Sequence, residues 1–248
     1  MRLLRDLYQL AGPMYGAHQN IYGVRDGGKI VLVDTGMGDS DYNIVRRVMG
    51  DWGLFECEIS QVLLTHAHYE HSANAYRYRK NGAHVVIHEA EANGLETGGD
   101  ETAAFAFVNE GPFTPCKADV PVTDGAVIQT GNLRFEVIHT PGHSGGSVLY
   151  RLVLEGKTIL FTGDTVLTGK LCQRAALGWT GGADFSWGQY TESLKQISTM
   201  KTDILLPGHG ELCMWHADRL LVSAYQQARL LLAAGADRGL KTEPKNRV

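Results

Sequence analysis

The chain has little of three features that define whole classes of protein. It carries only four cysteines in 248 residues, Cys57, Cys116, Cys172 and Cys213, widely spaced and without a Cys-x-x-Cys pair. That spacing argues for reduced thiols in a cytoplasmic protein rather than a disulfide framework. It lacks a basic excess. The net charge is −4, the isoelectric point is near 6.2, and Lys and Arg are scattered, which argues against a surface that tracks nucleic-acid phosphates. It also lacks long apolar runs, with nothing approaching the ~18 residues of a membrane span. The opening Met1-Arg2-Leu3-Leu4-Arg5-Asp6-Leu7 places charges where a signal peptide has an unbroken apolar core. These absences predict a cytoplasmic protein with no membrane or nucleic-acid partner. The length suits one domain over 1–248 with a sizeable core.

What the chain does have is a set of short histidine and carboxylate clusters, each directly following an apolar run. Gln61-Val62-Leu63-Leu64 leads into Thr65-His66-Ala67-His68-Tyr69-Glu70-His71, and Phe135-Glu136-Val137-Ile138 leads toward Pro141-Gly142-His143. Thr158-Ile159-Leu160-Phe161 precedes Gly163-Asp164-Thr165, Asp203-Ile204-Leu205-Leu206 precedes Pro207-Gly208-His209, and Val33 leads into Asp34-Thr35-Gly36. Each run reads as a short buried strand bounded by turn formers. If neighbouring strands end on one rim, the loops that follow converge there. Imidazoles and carboxylates are the side chains that bind zinc, iron or manganese. Any one of these histidines alone reads as a hydrogen-bonded loop residue. Seven together, His66, His68, Glu70, His71, His143, Asp164 and His209, form a candidate metal-ligand set.

Between the clusters, Asn20 to Val33 reads as a hairpin around Asp26-Gly27-Gly28. A helix capped by Ser40 runs through Gly50 with Ile44, Val45, Val48 and Met49 as its buried stripe. A second helix starts near His71 and continues toward Lys80, followed by a strand over 84–87. His84 and His88, outside any motif, are assigned to structure. From 93 to 117 the pattern becomes irregular around an apolar patch at 105–108, which predicts a lid or substrate wall. Strands follow at 126–129, 133–138, 147–153 and 158–161, with hairpin turns at Thr130-Gly131-Asn132 and Glu155-Gly156-Lys157. The glycine-rich, aromatic stretch 166–189 is a second candidate active-site loop. In it Trp179 and Trp187 either touch substrate or staple the next helix to the core. Cys172 in the same stretch reads as a surface or core thiol that could lie near the metals. Amphipathic helices span 191–200 and 215–234, and 237–248 reads as a frayed tail.

The clusters together resemble the metallo-β-lactamase superfamily, whose signature is a His-x-His-x-Asp-His loop followed by Pro-Gly-His, Gly-Asp and a second Pro-Gly-His. The similarity runs from about Asn20 to Gly210. It implies an α/β fold, the four-layer αβ/βα sandwich, with the metals on one edge between two mixed sheets. It also implies that His66, His68 and His143 hold one ion, that Glu70, His71 and His209 hold a second, that Asp164 bridges both, and that Asp34 supports the site from below. Zinc is the first expectation, with iron or manganese as alternatives. One departure stands out: the family's aspartate is here Glu70, with the carboxylate roughly 1.5 Å further out. That displacement should shift a metal, rotate the carboxylate or end its direct coordination.

Two adjacent ions acidify a shared water and polarise a carbonyl oxygen. The expected activity is therefore hydrolysis by a metal-bound hydroxide of an ester, thioester, lactone or lactam in a small molecule. In this role Asp164 spans the ions and Glu70 orients the nucleophile or passes on its proton. The alternative is a mononuclear iron enzyme resembling the persulfide dioxygenases of the glyoxalase II branch. Beyond His209 the chain lacks that branch's extended glutathione-binding region. The aromatic segments also offer a surface for a homodimer.

Overall fold

The computed structural model describes residues 1–235, so the expected frayed tail at 237–248 lies outside the described residues. The first half contributes β1 (Arg2–Leu4), β2 (Leu7–Ala11), β3 (Ile21–Asp26), β4 (Lys29–Val33), α1 (Gly38–Asp51), β5 (Glu58–Leu63), α2 (Tyr69–Ser72), α3 (Ala75–Lys80), β6 (His84–His88), α4 (Glu89–Thr97) and β7 (Val120–Val122). Its strands form a seven-stranded sheet in sequential order, antiparallel from β1 to β4 and parallel from β4 to β7. The second half contributes β8 (Val127–Thr130), β9 (Leu133–His139), β10 (Val148–Leu154), β11 (Lys157–Gly163), β12 (Leu167–Thr168), β13 (Ala175–Ala176), α5 (Trp187–Ile197), β14 (Ile204–Pro207) and α6 (Asp218–Ala233). Here a five-stranded sheet runs β14-β11-β10-β9-β8, and β12 and β13 pair separately.

The layering follows from strand alternation, because successive side chains point to opposite faces. In β4, Ile30 and Leu32 pack outward against Ile44, Val45 and Val48 of α1. Val31 and Val33 point the other way and meet Phe135, Tyr150 and Phe161 of the second sheet. In β11, Ile159 and Phe161 face that same inter-sheet core, while Leu160 packs with Leu194 of α5 and Leu220 and Leu221 of α6. Helix, sheet, sheet, helix is the resulting order, the predicted αβ/βα sandwich. Burial on both faces explains why the central strands read as continuous apolar runs rather than alternating ones.

Strand direction places the site. β4 and β5 are parallel, β11 and β14 are parallel, and β9 reaches the same direction as β11 through two antiparallel pairings with β10. The loops carrying Asp34, His66 to His71, His143, Asp164 and His209 therefore all leave from one end of their sheets. Backbone hydrogen bonds close that edge: Val148 donates to the Thr65 carbonyl (2.9 Å), Asn20 to Gly208 (2.7 Å) and Gly208 to Gly163 (2.7 Å). Gly208 has no alternative there, since a Cβ would run into the Asp164 carboxylate and the His71 ring.

Local details differ from the sequence reading. α1 begins at Gly38, and its first turn is closed by Asp41, whose Oδ2 accepts from the Met37 N–H at 2.9 Å, so Ser40 is not the cap. The helix expected from His71 to Lys80 is two helices. Asn74 interrupts it by donating its backbone N–H to Gly36 (3.1 Å) and its side chain to Gly38 (2.9 Å), contacts no local pattern reveals. The stretch 93–117 is not irregular throughout: α4 extends to Thr97, its N-terminus capped by His88 Nδ1 and its end turned by Gly98 at φ 73°. Likewise 166–189 contains β12, β13 and the start of α5, which Ser186 caps and which begins at Trp187, four residues before the expected helix start.

Phe161 is fully buried between the sheets. Its replacement by alanine should cost about 3–5 kcal/mol of unfolding free energy in denaturant titrations. A loss below about 1 kcal/mol would contradict this packing.

Candidate metal centre

Three imidazoles converge at the rim. His66 and His68 come from the loop after β5, and His143 from the loop after β9. All three are buried. His143 Nε2 lies 3.3 Å from His66 Nε2 and 3.2 Å from His68 Nδ1. Tetrahedral zinc with nitrogen ligands at about 2.1 Å requires about 3.4 Å between ligand atoms. The observed spacing fits such an ion closely.

A second group lies beside it. His71, Asp164, His209 and Glu70 offer ligand atoms that all fall within 4.8 Å of one another. His71 Nε2 is 3.3 Å from His209 Nε2 and 3.5 Å from Asp164 Oδ1. Asp164 Oδ2 is 3.6 Å from His209 Nε2 and 3.8 Å from His143 Nε2, so this one carboxylate faces both groups. Glu70 sits at the margin, with Oε1 4.0 Å from His209 Nε2 and Oε2 buried without a hydrogen-bond partner. Asp164 Oδ1 is likewise buried and unpartnered. Buried polar atoms are nearly always satisfied. Such orphaned donor atoms in a ring of imidazoles are what a divalent cation would satisfy, so the residues present fit one in each group.

The outward nitrogen of every ring but His68 is tied down. His71 Nδ1 pairs with Asp34 Oδ2 at 2.9 Å, His143 Nδ1 donates to the Trp179 carbonyl at 3.0 Å, and His209 Nδ1 to the His18 carbonyl at 3.2 Å. His66 Nδ1 meets the Thr65 hydroxyl at 3.0 Å, which in turn donates to Asp34. These bonds leave the Nε2 lone pairs aimed inward, the arrangement that orients ligating histidines. Asp34 adopts φ 60°, a conformation aspartate tolerates better than most residues, and also accepts from the Thr65 N–H at 2.8 Å. Tyr190 was not anticipated. Its buried hydroxyl accepts from Gly178 N–H (3.0 Å) and donates to Thr165 O (2.7 Å), clamping the Asp164 loop against 178–179. Nothing in its sequence context distinguishes it from an ordinary core tyrosine.

Electrostatics separate the two groups. Burial holds His66 and His68 well below the usual histidine range, and His143 is lowered for the same reason. Burial also opposes protonation of His71, yet Asp164 and Asp34 outweigh it and raise the imidazole to about 9. Burial pushes the Asp164 carboxyl up, but His209, His71 and His143 together pull it down to about 2. Burial raises Glu70.

The two candidate loops reach the rim. Trp179, 42% exposed, lies with its ring 6.0 Å from His68 and 6.2 Å from Phe105, itself 51% exposed. Phe107 stacks on Tyr69 at 5.4 Å. Trp187 does not join them: it packs on Phe185 and Tyr190 and staples α5 to the core. Cys172 is buried against the Leu212 carbonyl and belongs to neither group. His84 is exposed, and His88 stacks on His139 at 3.8 Å. Among the described residues no helix is long and apolar enough to cross a membrane.

Comparison with known proteins agrees with this fold. A family model described as the metallo-beta-lactamase superfamily matches residues 14–209. The chain is 29% identical over 214 residues to the human acyl-coenzyme A thioesterase MBLAC2, covering 78% of this chain and 74% of that protein. It is 27% identical to an atrochrysone carboxyl ACP thioesterase of Aspergillus fumigatus, covering 84% of this chain and 56% of that one. A metallo-beta-lactamase of Cronobacter sakazakii shares the fold with a TM-score of 0.76 at 19% identity, over 96% of this chain and 94% of the other.

A metal entering the second group must displace the His71 proton, whereas His66 and His68 are already neutral near pH 7. Chelator-competition titrations should show second-group affinity rising with pH up to about 9, by up to tenfold per unit, while first-group affinity stays nearly flat above about pH 7. Equal pH slopes for both ions would contradict this assignment.

Proposed function

The chain belongs to the metallo-beta-lactamase superfamily, and we propose that it is a binuclear metal-dependent hydrolase of small-molecule acyl thioesters. The observation that carries this reading is the Asp164 carboxylate, which reaches His143 of one group at 3.8 Å and His71 and His209 of the other at 3.5 and 3.6 Å. Two divalent ions, zinc first among them, would lower the pKa of a bound water and polarise the thioester carbonyl. His66, His68 and His143 would hold the first ion; His71, His209 and Glu70 would hold the second, and Asp164 would lie between them.

The chain's own residues supply the rest. Asp164, ionised across the neutral range, offers the negative charge that draws cations into the cleft. Glu70, raised by burial, is placed to accept a proton from the attacking water and deliver it to the leaving thiolate. Its place at the margin of the second group, with Oε1 4.0 Å from His209 Nε2, suits it to that role. Phe105 and Trp179 form an apolar wall beside His68 that favours an acyl group over a charged one. The similarity to an acyl-coenzyme A thioesterase and an acyl-carrier thioesterase supports a thioester over the lactone or lactam. A complete second group and these relatives favour hydrolysis over mononuclear iron oxidation.

With acyl-thioester substrates and a thiol reagent reporting the released thiol, His68→Ala should lower kcat/KM by more than about a hundredfold, since even outer partners of metal ligands cost 10–100-fold. Undiminished turnover would refute the proposal. Trp179→Ala should raise KM for long acyl chains about tenfold and leave kcat nearly unchanged. An equal effect on the shortest and longest chains would show that the wall does not contact the acyl group.

A further inference from the structure

Glu91 belongs to neither group of ligands, yet it is fully buried beside them. It stands in the first turn of α4, and both carboxylate oxygens are engaged by backbone N–H groups from elsewhere in the chain. Oε2 accepts from Ala67, the residue between His66 and His68. Oε1 accepts from Gly146, three residues past His143, at 2.9 Å. The first of these loops follows β5 of one sheet, and the second follows β9 of the other. One side chain thus ties together the two loops that carry all three histidines of the first group.

The neighbourhood is shaped around this bridge. A Cβ on Gly146 would come within 2.8 Å of Glu91 Cγ, so only glycine allows the loop to approach. Asp184 Oδ2 accepts from the adjacent Gly145 N–H at 2.5 Å, which steadies the same loop but makes no bond to 66–68. The backbone bond from Val148 to Thr65 joins the same two loops at their base; among the described residues Glu91 is the side chain that accepts from the backbone of both. The chemistry of the position is narrow. Glutamine keeps one acceptor and turns its NH2 toward a backbone donor, and aspartate falls roughly 1.5 Å short.

We propose that Glu91 is a positioning residue that sets the distance between the His66–His68 loop and the His143 loop, and so the affinity of the first group for its metal. The proposal rests on the reading that this group binds a divalent ion. His68 Nδ1 and His143 Nε2 stand 3.2 Å apart across that gap, and metal–ligand distances tolerate about 0.2 Å. Relaxing the bridge should therefore weaken the first ion without disturbing the second.

The test uses full-length, metal-free protein titrated with cobalt(II), read by its visible absorption, so no substrate is needed. A His209→Ala background confines the measurement to the first group, and a His68→Ala background to the second. Glu91→Gln and Glu91→Asp should each lower affinity in the first background by about 10–100-fold and change it by less than about twofold in the second. Glu89→Gln, an exposed neighbour on the same helical turn, should change neither. Thermal unfolding checks that each variant is folded, and the aspartate variant carries the test if the glutamine one does not fold. Unchanged first-group affinity, or an equal loss in both backgrounds, would overturn the assignment of Glu91 while leaving the function standing. No cobalt bound by the unsubstituted chain would overturn the functional reading and this inference with it.

Discussion

Five buried or mostly buried imidazoles and two carboxylates share one edge of the molecule with their ligand atoms directed at one another, and everything else in the structure accommodates that crowding. Burying unpaired polar atoms is costly, and burying a carboxylate without a counter-charge more so. In the protein alone the conflict is met by a proton on His71 and by the pull of surrounding histidines on Asp164. A divalent cation in each group would resolve it more fully, because the lone pairs would then have a common partner. The site is thus strained toward metal binding by its own construction, before any substrate is considered.

The fold supplies that construction cheaply in sequence terms. Parallel pairing of β4 with β5 and of β11 with β14 sends the loops out at one end of each sheet, and inter-sheet backbone bonds such as Val148 to Thr65 lock the two rims together. Every ring nitrogen that faces away from the cleft, except that of His68, has a fixed acceptor. The inter-sheet core of Phe135, Tyr150 and Phe161 then makes the edge rigid, because a close-packed interior does not deform gradually.

The strands and the seven candidate ligands were legible in the sequence because each depends on local pattern, whereas the four-layer order followed only from the family resemblance those residues carry. Apolar runs ending in Gly or Pro beside a histidine mark a strand and its exit loop without tertiary information. What was not legible depends on contacts across many residues. The break between α2 and α3 is made by Asn74 reaching back to Gly36 and Gly38. The histidine at 143 is oriented by a carbonyl at 179, and the bridge between the 66–68 and 143–147 loops comes from Glu91, which no motif or periodicity marks in the sequence. α4 itself escaped notice because Asn93 and Gly94 dilute its helical pattern.

The central claim is that two divalent ions occupy this edge with Asp164 between them. Protein purified without chelator, equilibrated with zinc and freed of excess, should be measured by inductively coupled plasma mass spectrometry against a concentration from amino-acid analysis. Two ions per chain is the result this account predicts. One ion or none at saturation would contradict it, showing that Glu70, His71 and His209 do not complete a second site.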